Sequence, residues 1–297
     1  ASFRAQDIEI PMWKDKMPNY QECGEKDTLN TDYQYEAYTT VVNPDISVYF
    51  PIDSTKKSDI AVLVIPGGAY WGVVHKWEGS NIAKMLNEYG ITACVLKYRL
   101  PHSKSNITRY KSPLLDAERA MRLIKSNAKK WGVSKVGVMG FSAGGHLAST
   151  LGTHFDKEKE YEIDNFSSRP DFMILMYPVI TMDSTFTHMG SRNNLLGENP
   201  SEDLVNYYSN ENQVSKNTPP TLLIHSNDDD VVPVKNSLVF YNALQKKEVR
   251  SEMHIYEYGG HGFSLAEGKG YLETWKDICV GWILSNSRYA DPSFLTK

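Results

Sequence analysis

Residues 140–144 read Gly-Phe-Ser-Ala-Gly directly after the apolar run 135–139. This is the pattern of a sharp turn from a buried strand into a helix, with Ser142 at its tip. The turn has to be tight, and the glycines two before and two after the serine let the backbone segments approach closely. Ser142 is then held strained and exposed, a position suited to nucleophilic attack. A helix beginning at Ala143 aims its unpaired amides and its positive dipole end at the same point, which favours an oxyanion forming there. Ordinary loops also contain Gly-x-Ser-x-Gly, so the pattern draws its meaning from the strand before it and the helix after it.

A serine nucleophile on such a turn needs an acid and a histidine later in the chain, in that order, each on a loop after a strand. Residues 221–226 (TLLIHS) form a short apolar strand that runs into Asn227-Asp228-Asp229-Asp230-Val231-Val232-Pro233. Residues 251–258 (SEMHIYEY) lead into Gly259-Gly260-His261-Gly262-Phe263. A lone histidine is most often a satisfied structural residue, but the order of these segments makes His261 the candidate base. The oxyanion also needs a second set of donors, and losing one typically costs about 3 kcal/mol. Pro66-Gly67-Gly68-Ala69-Tyr70-Trp71-Gly72 follows the apolar run 60–65. It resembles the HGGG-type loop of esterases, with proline in place of histidine. Gly68 and Ala69 are the expected donors from this side, and Ala143 from the helix.

Composition narrows the alternatives. The chain has 297 residues, 41% hydrophobic and 23% charged, with a formal net charge of −4. These proportions suit a globular α/β protein that folds as one unit. There is no basic field for nucleic acid, and no run of eighteen apolar residues that would span a membrane. The eight histidines are dispersed without H-E-x-x-H or comparable spacing, so we expect no metal and no cofactor. Three cysteines make no disulfide framework. Cys94 reads as a small buried hydrophobe, and a Cys23–Cys279 bridge is left open. The first residue is Ala1, which suits a processed export signal or a trimmed chain. The expected location is secreted or periplasmic, with the cytoplasm left open.

Strand patterns at residues 46–50, 60–65, 91–98, 135–139, 172–177, 221–226 and 252–256 alternate with helical ones. That alternation predicts a mostly parallel twisted sheet with helices on both faces. Leu114, Ala117, Met121, Ile124, Ala128 and Trp131 form one apolar stripe, with Ser112 as the expected N-cap, Pro113 in the first turn and Gly132 beyond the end. Shorter stripes lie at Ile82, Met85, Leu86 and Tyr89, and from Tyr271 to Ile283. Residues 1–40 read as an N-terminal arm with little regular structure, and 41–297 as one domain. Within it, residues 181–220 are an insertion over the active site, with one helical pattern at 202–208.

Four segments in this order resemble the acetyl xylan esterase and feruloyl esterase-like family of bacterial α/β-hydrolases. They are IPGGAYWGVVHKWEGSNIAKMLNEYGITACVLKYRLP at 65–101, GFSAGGHLA at 140–148, NDDDVVPVKNS at 227–237 and GGHGFSL at 259–265. The resemblance spans roughly residues 45–284. It implies the α/β-hydrolase fold and an esterase that removes acetyl, or less often feruloyl, groups from plant polysaccharides. Ala69 stands where many relatives have a third glycine, which keeps the amide. In the family's D-x-V-V-P pattern the acid lies four residues before the proline, which implies Asp229, with Asp228 and Asp230 shaping the loop or solvated. Asp229 then orients His261, His261 takes the proton of Ser142, and the serine attacks the ester carbonyl.

For substrate contact the candidates are Tyr70, Trp71 and Trp77 beside the oxyanion donors, and His188 in the insertion. Each reads equally as packing. His146, His225, Arg99 and Asp116 are taken as structural. The expected partner is an acetylated carbohydrate or a small ester. Feruloyl or general short-chain esters are the alternatives of the same class. A prolyl-oligopeptidase-like peptidase resembles a chain with a large extra N-terminal domain, for which the roughly 60 residues before the first catalytic loop leave no room.

Overall fold

Strand β5 (Ile60–Ile65) is buried at all six positions, the mark of a strand covered on both faces. Ala61, Leu63 and Ile65 enter one apolar cluster, and Ile60, Val62 and Val64 enter another on the opposite face. This two-residue alternation organises the molecule. The structure, a computed structural model, describes residues 7–14, 16–32, 35–157 and 165–286.

In chain order the strands are β1 (Ile8–Pro11), β2 (Thr28–Asn30), β3 (Ala37–Thr40), β4 (Asp45–Tyr49), β5, β6 (Thr92–Lys97), β7 (Lys135–Phe141), β8 (Met173–Met176), β9 (Thr221–Ser226) and β10 (Ser251–Tyr256). The α-helices are α1 (Asn81–Glu88), α2 (Ser112–Trp131), α3 (Ala143–His154), α4 (Met189–Leu196), α5 (Glu202–Tyr208), α6 (Lys235–Lys246) and α7 (Trp275–Leu284). Eight strands form one sheet in the order β1-β4-β6-β5-β7-β8-β9-β10. The pairs from β6 to β10 are parallel, while β4 lies antiparallel to β6 and β1 antiparallel to β4. Residues of α2, α3 and α6 pack into the cluster on one face, and those of α1 and α7 into the cluster on the other.

The seven expected strands are all present, and the stripes at 82–89, 114–131 and 271–283 are core helices except at Tyr89, past the end of α1, and Tyr271, in a 3-10 turn before α7, which are exposed. Three details differ. The first forty residues hold more regular structure than their polar composition suggests: β1 extends the main sheet, and β2 pairs with β3 in a small second sheet. Ser112 is the first residue of α2 rather than its cap, because its hydroxyl oxygen is occupied by the Asn19 side-chain amide at 2.7 Å. The segment 181–220 carries two α-helices, α4 and α5, not one. Gly132 does close α2 in the left-handed region, at φ 68°. Cys23 and Cys279 are not bridged, and Cys279 is buried within α7.

Register sets where loops emerge. Ile65 pairs with Gly140, so the loop after β5 leaves the sheet beside the turn after β7. Ser226 pairs with Tyr256, so the loops after β9 and β10 also leave together. All four emerge at the carboxyl end of the parallel strands, where open α/β sheets place their ligands. A buried ion pair anchors this end: the Arg99 guanidinium donates to both carboxylate oxygens of Asp116, and both side chains are fully buried. Arg99 also donates to the Pro18 carbonyl at 2.7 Å, and the Trp13 indole to Asp116 at 2.9 Å, tying the N-terminal segment down. Asp116→Ala strands the guanidinium without its carboxylate, and we expect a loss of about 3–5 kcal/mol in a urea melt. A loss under about 1 kcal/mol would contradict this anchoring role.

Candidate active site

The turn after β7 is held open by close backbone contacts. Ser142 has φ 52° and ψ −118°, a positive φ that a non-glycine residue adopts only when its surroundings impose it. Its amide donates to the Met176 carbonyl at 3.0 Å, and its carbonyl accepts from Val179 at 3.0 Å, pinning it to the end of β8. A side chain at Gly140 would collide with the Gly144 carbonyl and the Ala148 methyl. One at Gly144 would collide with the Ile65 and Pro66 carbonyls. These two glycines let α3 start directly against β7 and β5.

Ser142 Oγ lies 2.8 Å from His261 Nε2, and His261 Nδ1 lies 2.7 Å from Asp229 Oδ2. A carboxylate only accepts, so Nδ1 carries the proton and Nε2 accepts from the serine hydroxyl. The other Asp229 oxygen accepts from the amides of Val231 at 3.0 Å and Val232 at 2.8 Å. Burial alone would raise the Asp229 pKa, but hydrogen bonds from His225, His261 and the Val232 amide outweigh it and hold the carboxyl well below the usual range. His225 is fully buried. Its Nε2 faces the Val232 carbonyl at 3.0 Å and Asp229 Oδ2 at 3.2 Å, and its Nδ1 takes the Ser237 hydroxyl at 2.8 Å. Both Nε2 contacts are acceptors, so this imidazole donates to the acid and fixes its aim. Asp228 clamps the other side of the site, accepting from the amides of Gly259 and Gly260 at 2.8 Å each.

The loop after β5 contributes the amides. No hydrogen bond is formed by the amides of Gly68, Ala69 or Ala143 among the described residues. Ala69 and Tyr70 have φ 56° and 57°, and three side chains hold this backbone in place. Asn194 of α4 donates to the Ala69 carbonyl at 2.8 Å, Tyr98 to the Pro66 carbonyl at 2.9 Å, and the buried Glu78 accepts from the Gly67 amide at 2.9 Å. His146, one turn along α3 from Ser142, donates from Nε2 to the Tyr208 carbonyl and accepts from the Tyr70 hydroxyl, both at 2.8 Å. Burial lowers its pKa to about 4, so it stays a neutral bracket.

A cavity of about 370 Å³ opens over Ser142, bordered by Gly68, Ala69, Trp71, Trp77, Glu78, His188, Val231 and His261, and by Tyr35 from the N-terminal segment. A second groove of about 360 Å³, between Leu114 of α2 and Leu204 and Tyr207 of α5, contains none of these groups. Among the expected substrate contacts, Trp71 lines the catalytic cavity and is 44% exposed. Trp77 lines it too, its indole donating to the Gly262 carbonyl at 2.9 Å and its ring 5.0 Å from that of Tyr35. His188 lines it as the N-cap of α4, with Nδ1 at 2.8 Å from the Ser191 hydroxyl; burial and the nearby His261 lower its pKa. Tyr70 is the correction: it is 1% exposed and faces His146 and the core, because positive φ at residues 69 and 70 turns the chain and rotates its ring away from the cavity.

Sequence reading missed Glu78, Tyr177, Asn194, Tyr35 and the role of His225. Glu78 reads as a polar residue ahead of a helix, and Tyr177 as the end of an apolar strand. His225 four residues before Asp229 was the one visible signal.

The family model BD-FAE matches residues 46–244, through the nucleophile turn and the acid loop. The chain belongs to the BD-FAE family. Among similar proteins is the acetyl ester-xyloside bifunctional hydrolase from Caldicellulosiruptor lactoaceticus, 38% identical, with a TM-score of 0.78 over 96% of this chain and 98% of that one. The chain is 36% identical to an acetylxylan esterase of Xylanibacter ruminicola over 76% of its own length and 45% of the relative's. It is 38% identical to endo-1,4-beta-xylanase B of Butyrivibrio fibrisolvens over 87% of its length and 40% of that protein's. The chain thus spans under half the length of these two curated relatives. Its fold is the α/β-hydrolase fold.

With Asp229 ionised and His261 oriented by it, Asp229→Asn should lower kcat by about 10⁴-fold, because an amide no longer enforces the productive tautomer. The same variant tests acid stability. The folded pKa of Asp229 is depressed, so its contribution is present above the unfolded value of about 4 and is lost as pH falls below that. The difference in urea stability between parent and variant should therefore shrink from about pH 4 downward. A difference that stays constant from pH 6 to pH 2 would contradict it.

Proposed function

We propose that this chain is a serine carboxylic ester hydrolase that removes acetyl groups from plant polysaccharides or oligosaccharides such as acetylated xylan. The observation that carries the reading is the continuous hydrogen-bonded line from Ser142 through His261 to Asp229, facing unpaired amides on one cavity. Relatives named acetylxylan esterase and acetyl ester-xyloside hydrolase support the substrate class.

The acetyl carbonyl carbon lies against Ser142 Oγ, with its oxygen on the amides of Gly68, Ala69 and Ala143. His261 accepts the serine proton as Oγ attacks, and Asp229 stabilises the imidazolium that forms. As the intermediate collapses, the C–O bond to the sugar breaks and the departing sugar oxygen takes the proton from His261, leaving as a hydroxyl. Water then enters, loses its proton to His261 and attacks the acetyl-enzyme. Acetate leaves and Ser142 is restored. Trp71 and Trp77 offer flat apolar faces at the mouth, where the sugar leaving group has to sit. Action on such a polymer fits a secreted or periplasmic location.

A panel of 4-nitrophenyl acetate, longer 4-nitrophenyl esters, methyl ferulate and acetylated xylan, read by product release, tests this reading. Acetyl esters should be fastest and acetate should be released from xylan. Ser142→Ala should lower turnover by about a million-fold. Trp71→Ala should raise KM for acetylated xylo-oligosaccharides while leaving 4-nitrophenyl acetate nearly unchanged. Undiminished activity in Ser142→Ala would refute the mechanism, and a preference for feruloyl or long-chain esters would refute the substrate class.

A further inference from the structure

We propose that Glu78 is a positioning residue of this same site: its buried carboxylate holds the oxyanion loop with one oxygen, braces the His261 ring through Tyr177 with the other, and places a second negative charge beside the imidazole. This rests on the esterase reading above and deepens it.

Glu78 lies in a π-helical turn, Lys76–Ser80, immediately before α1. Such turns recur at functional sites, where they aim a side chain that a regular helix would direct elsewhere. The turn is packed against the sheet. A side chain at Gly79 would meet Val95 Cγ1 at 2.7 Å and Pro66 Cγ at 3.3 Å. Glu78 is therefore directed inward and is 5% exposed, at the wall of the catalytic cavity.

Both its oxygens meet donors. Oε2 accepts from the Gly67 amide at 2.9 Å, next to the proposed oxyanion donor Gly68. Oε1 accepts from the Tyr177 hydroxyl at 2.8 Å. That hydroxyl in turn accepts from the Ser264 amide at 3.1 Å, so its own proton is committed to Glu78. The Tyr177 ring stands edge-on to His261, with centroids 5.1 Å apart, and to Phe263 at 4.6 Å. Two donors on two oxygens is the arrangement of an ionised carboxylate. Burial raises the Glu78 pKa, and the Tyr177 hydrogen bond, the His261 charge and the Gly67 amide oppose that rise. A charge kept in such a place carries a desolvation cost, which a positive charge forming beside it during turnover offsets.

The groups around the His261 ring are Asp229 on Nδ1, Ser142 on Nε2, His188 from α4, Tyr177 after β8 and Glu78 from the π turn. When His261 takes the serine proton, the cation sits near two carboxylates. One is in direct contact with it, and the other acts through space.

The test is the pH profile of kcat/KM for 4-nitrophenyl acetate in Glu78→Gln and Glu78→Asp, with thermal melts of each. The amide removes the charge but keeps the shape. It should lower kcat about tenfold and move the acid limb about one pH unit lower, since the neutral base persists further into acid once the opposing charge is gone. Aspartate keeps the charge but shortens the reach: kcat falls, and the acid limb stays within about 0.3 units of the parent. A purely structural role lowers kcat in both and moves neither limb, which would overturn the proposal. If Glu78→Gln gives no cooperative melt, Tyr177→Phe decides: it deletes the brace while keeping the carboxylate, kcat should fall several-fold, and an unchanged kcat overturns the proposal. An unmoved limb in Glu78→Gln with Ser142→Ala inactive rejects the role of Glu78 alone, whereas activity persisting in Ser142→Ala rejects the esterase reading as well.

Discussion

The positive φ at Ser142 is the constraint from which the site follows. A non-glycine residue holds that conformation only where neighbours forbid relaxation. Here the ends of β5 and β8 and the first turn of α3 close on it from three sides, with hydrogen bonds at both its amide and its carbonyl. The contact is so close that Gly140 and Gly144 leave no space for a methyl group. Because the turn is fixed, the amide of Ala143 has a fixed direction, and the loop after β5, paired in register with β7, presents Gly68 and Ala69 from the opposite side. The sheet thus brings the two segments together, and Asn194, Tyr98 and Glu78 hold the backbone of the loop after β5 in place.

The remaining groups are oriented by a second layer of polar side chains. His225 and two backbone amides aim Asp229, Asp228 pins the glycines before His261, and Tyr177 supports the imidazole from its edge. Asn194 and His146 do the same for the strained Ala69–Tyr70 backbone. Helix α4 therefore takes part in building the site, since its Asn194 holds the Ala69 carbonyl and its N-cap His188 lines the cavity. Burial that would destabilise these groups singly is offset because each donor meets an acceptor, and that satisfaction keeps the constellation rigid.

Much of this was legible in the sequence, for physical reasons that differ by residue. The strands from β5 to β9 announce themselves because burial on both faces demands largely apolar runs. The nucleophile turn does so because its geometry tolerates almost nothing but glycine at 140 and 144. His261 followed from chain order and the loop that carries it, while the choice of Asp229 among three adjacent aspartates came from the family's D-x-V-V-P pattern. What stayed hidden depends on contacts between distant segments. β1 and β3 are only four residues long and mostly exposed or half-buried, and they form because a neighbouring strand offers an edge. Tyr70 and Trp71 look alike as aromatic neighbours in one loop, yet two positive φ angles send the first into the core and leave the second at the cavity. Glu78 was invisible because a π turn, which has no sequence signature, determines where its carboxylate points.

The proposed chemistry requires Ser142 Oγ to bond to the acyl group as His261 takes its proton. The most direct measurement is intact-mass spectrometry and peptide mapping after a fluorophosphonate is added to the native enzyme. One adduct on the peptide containing Ser142, formed as hydrolytic activity disappears and markedly slower in His261→Ala, is the predicted result. Labelling at another residue, or full loss of activity with Ser142 unmodified, would contradict it.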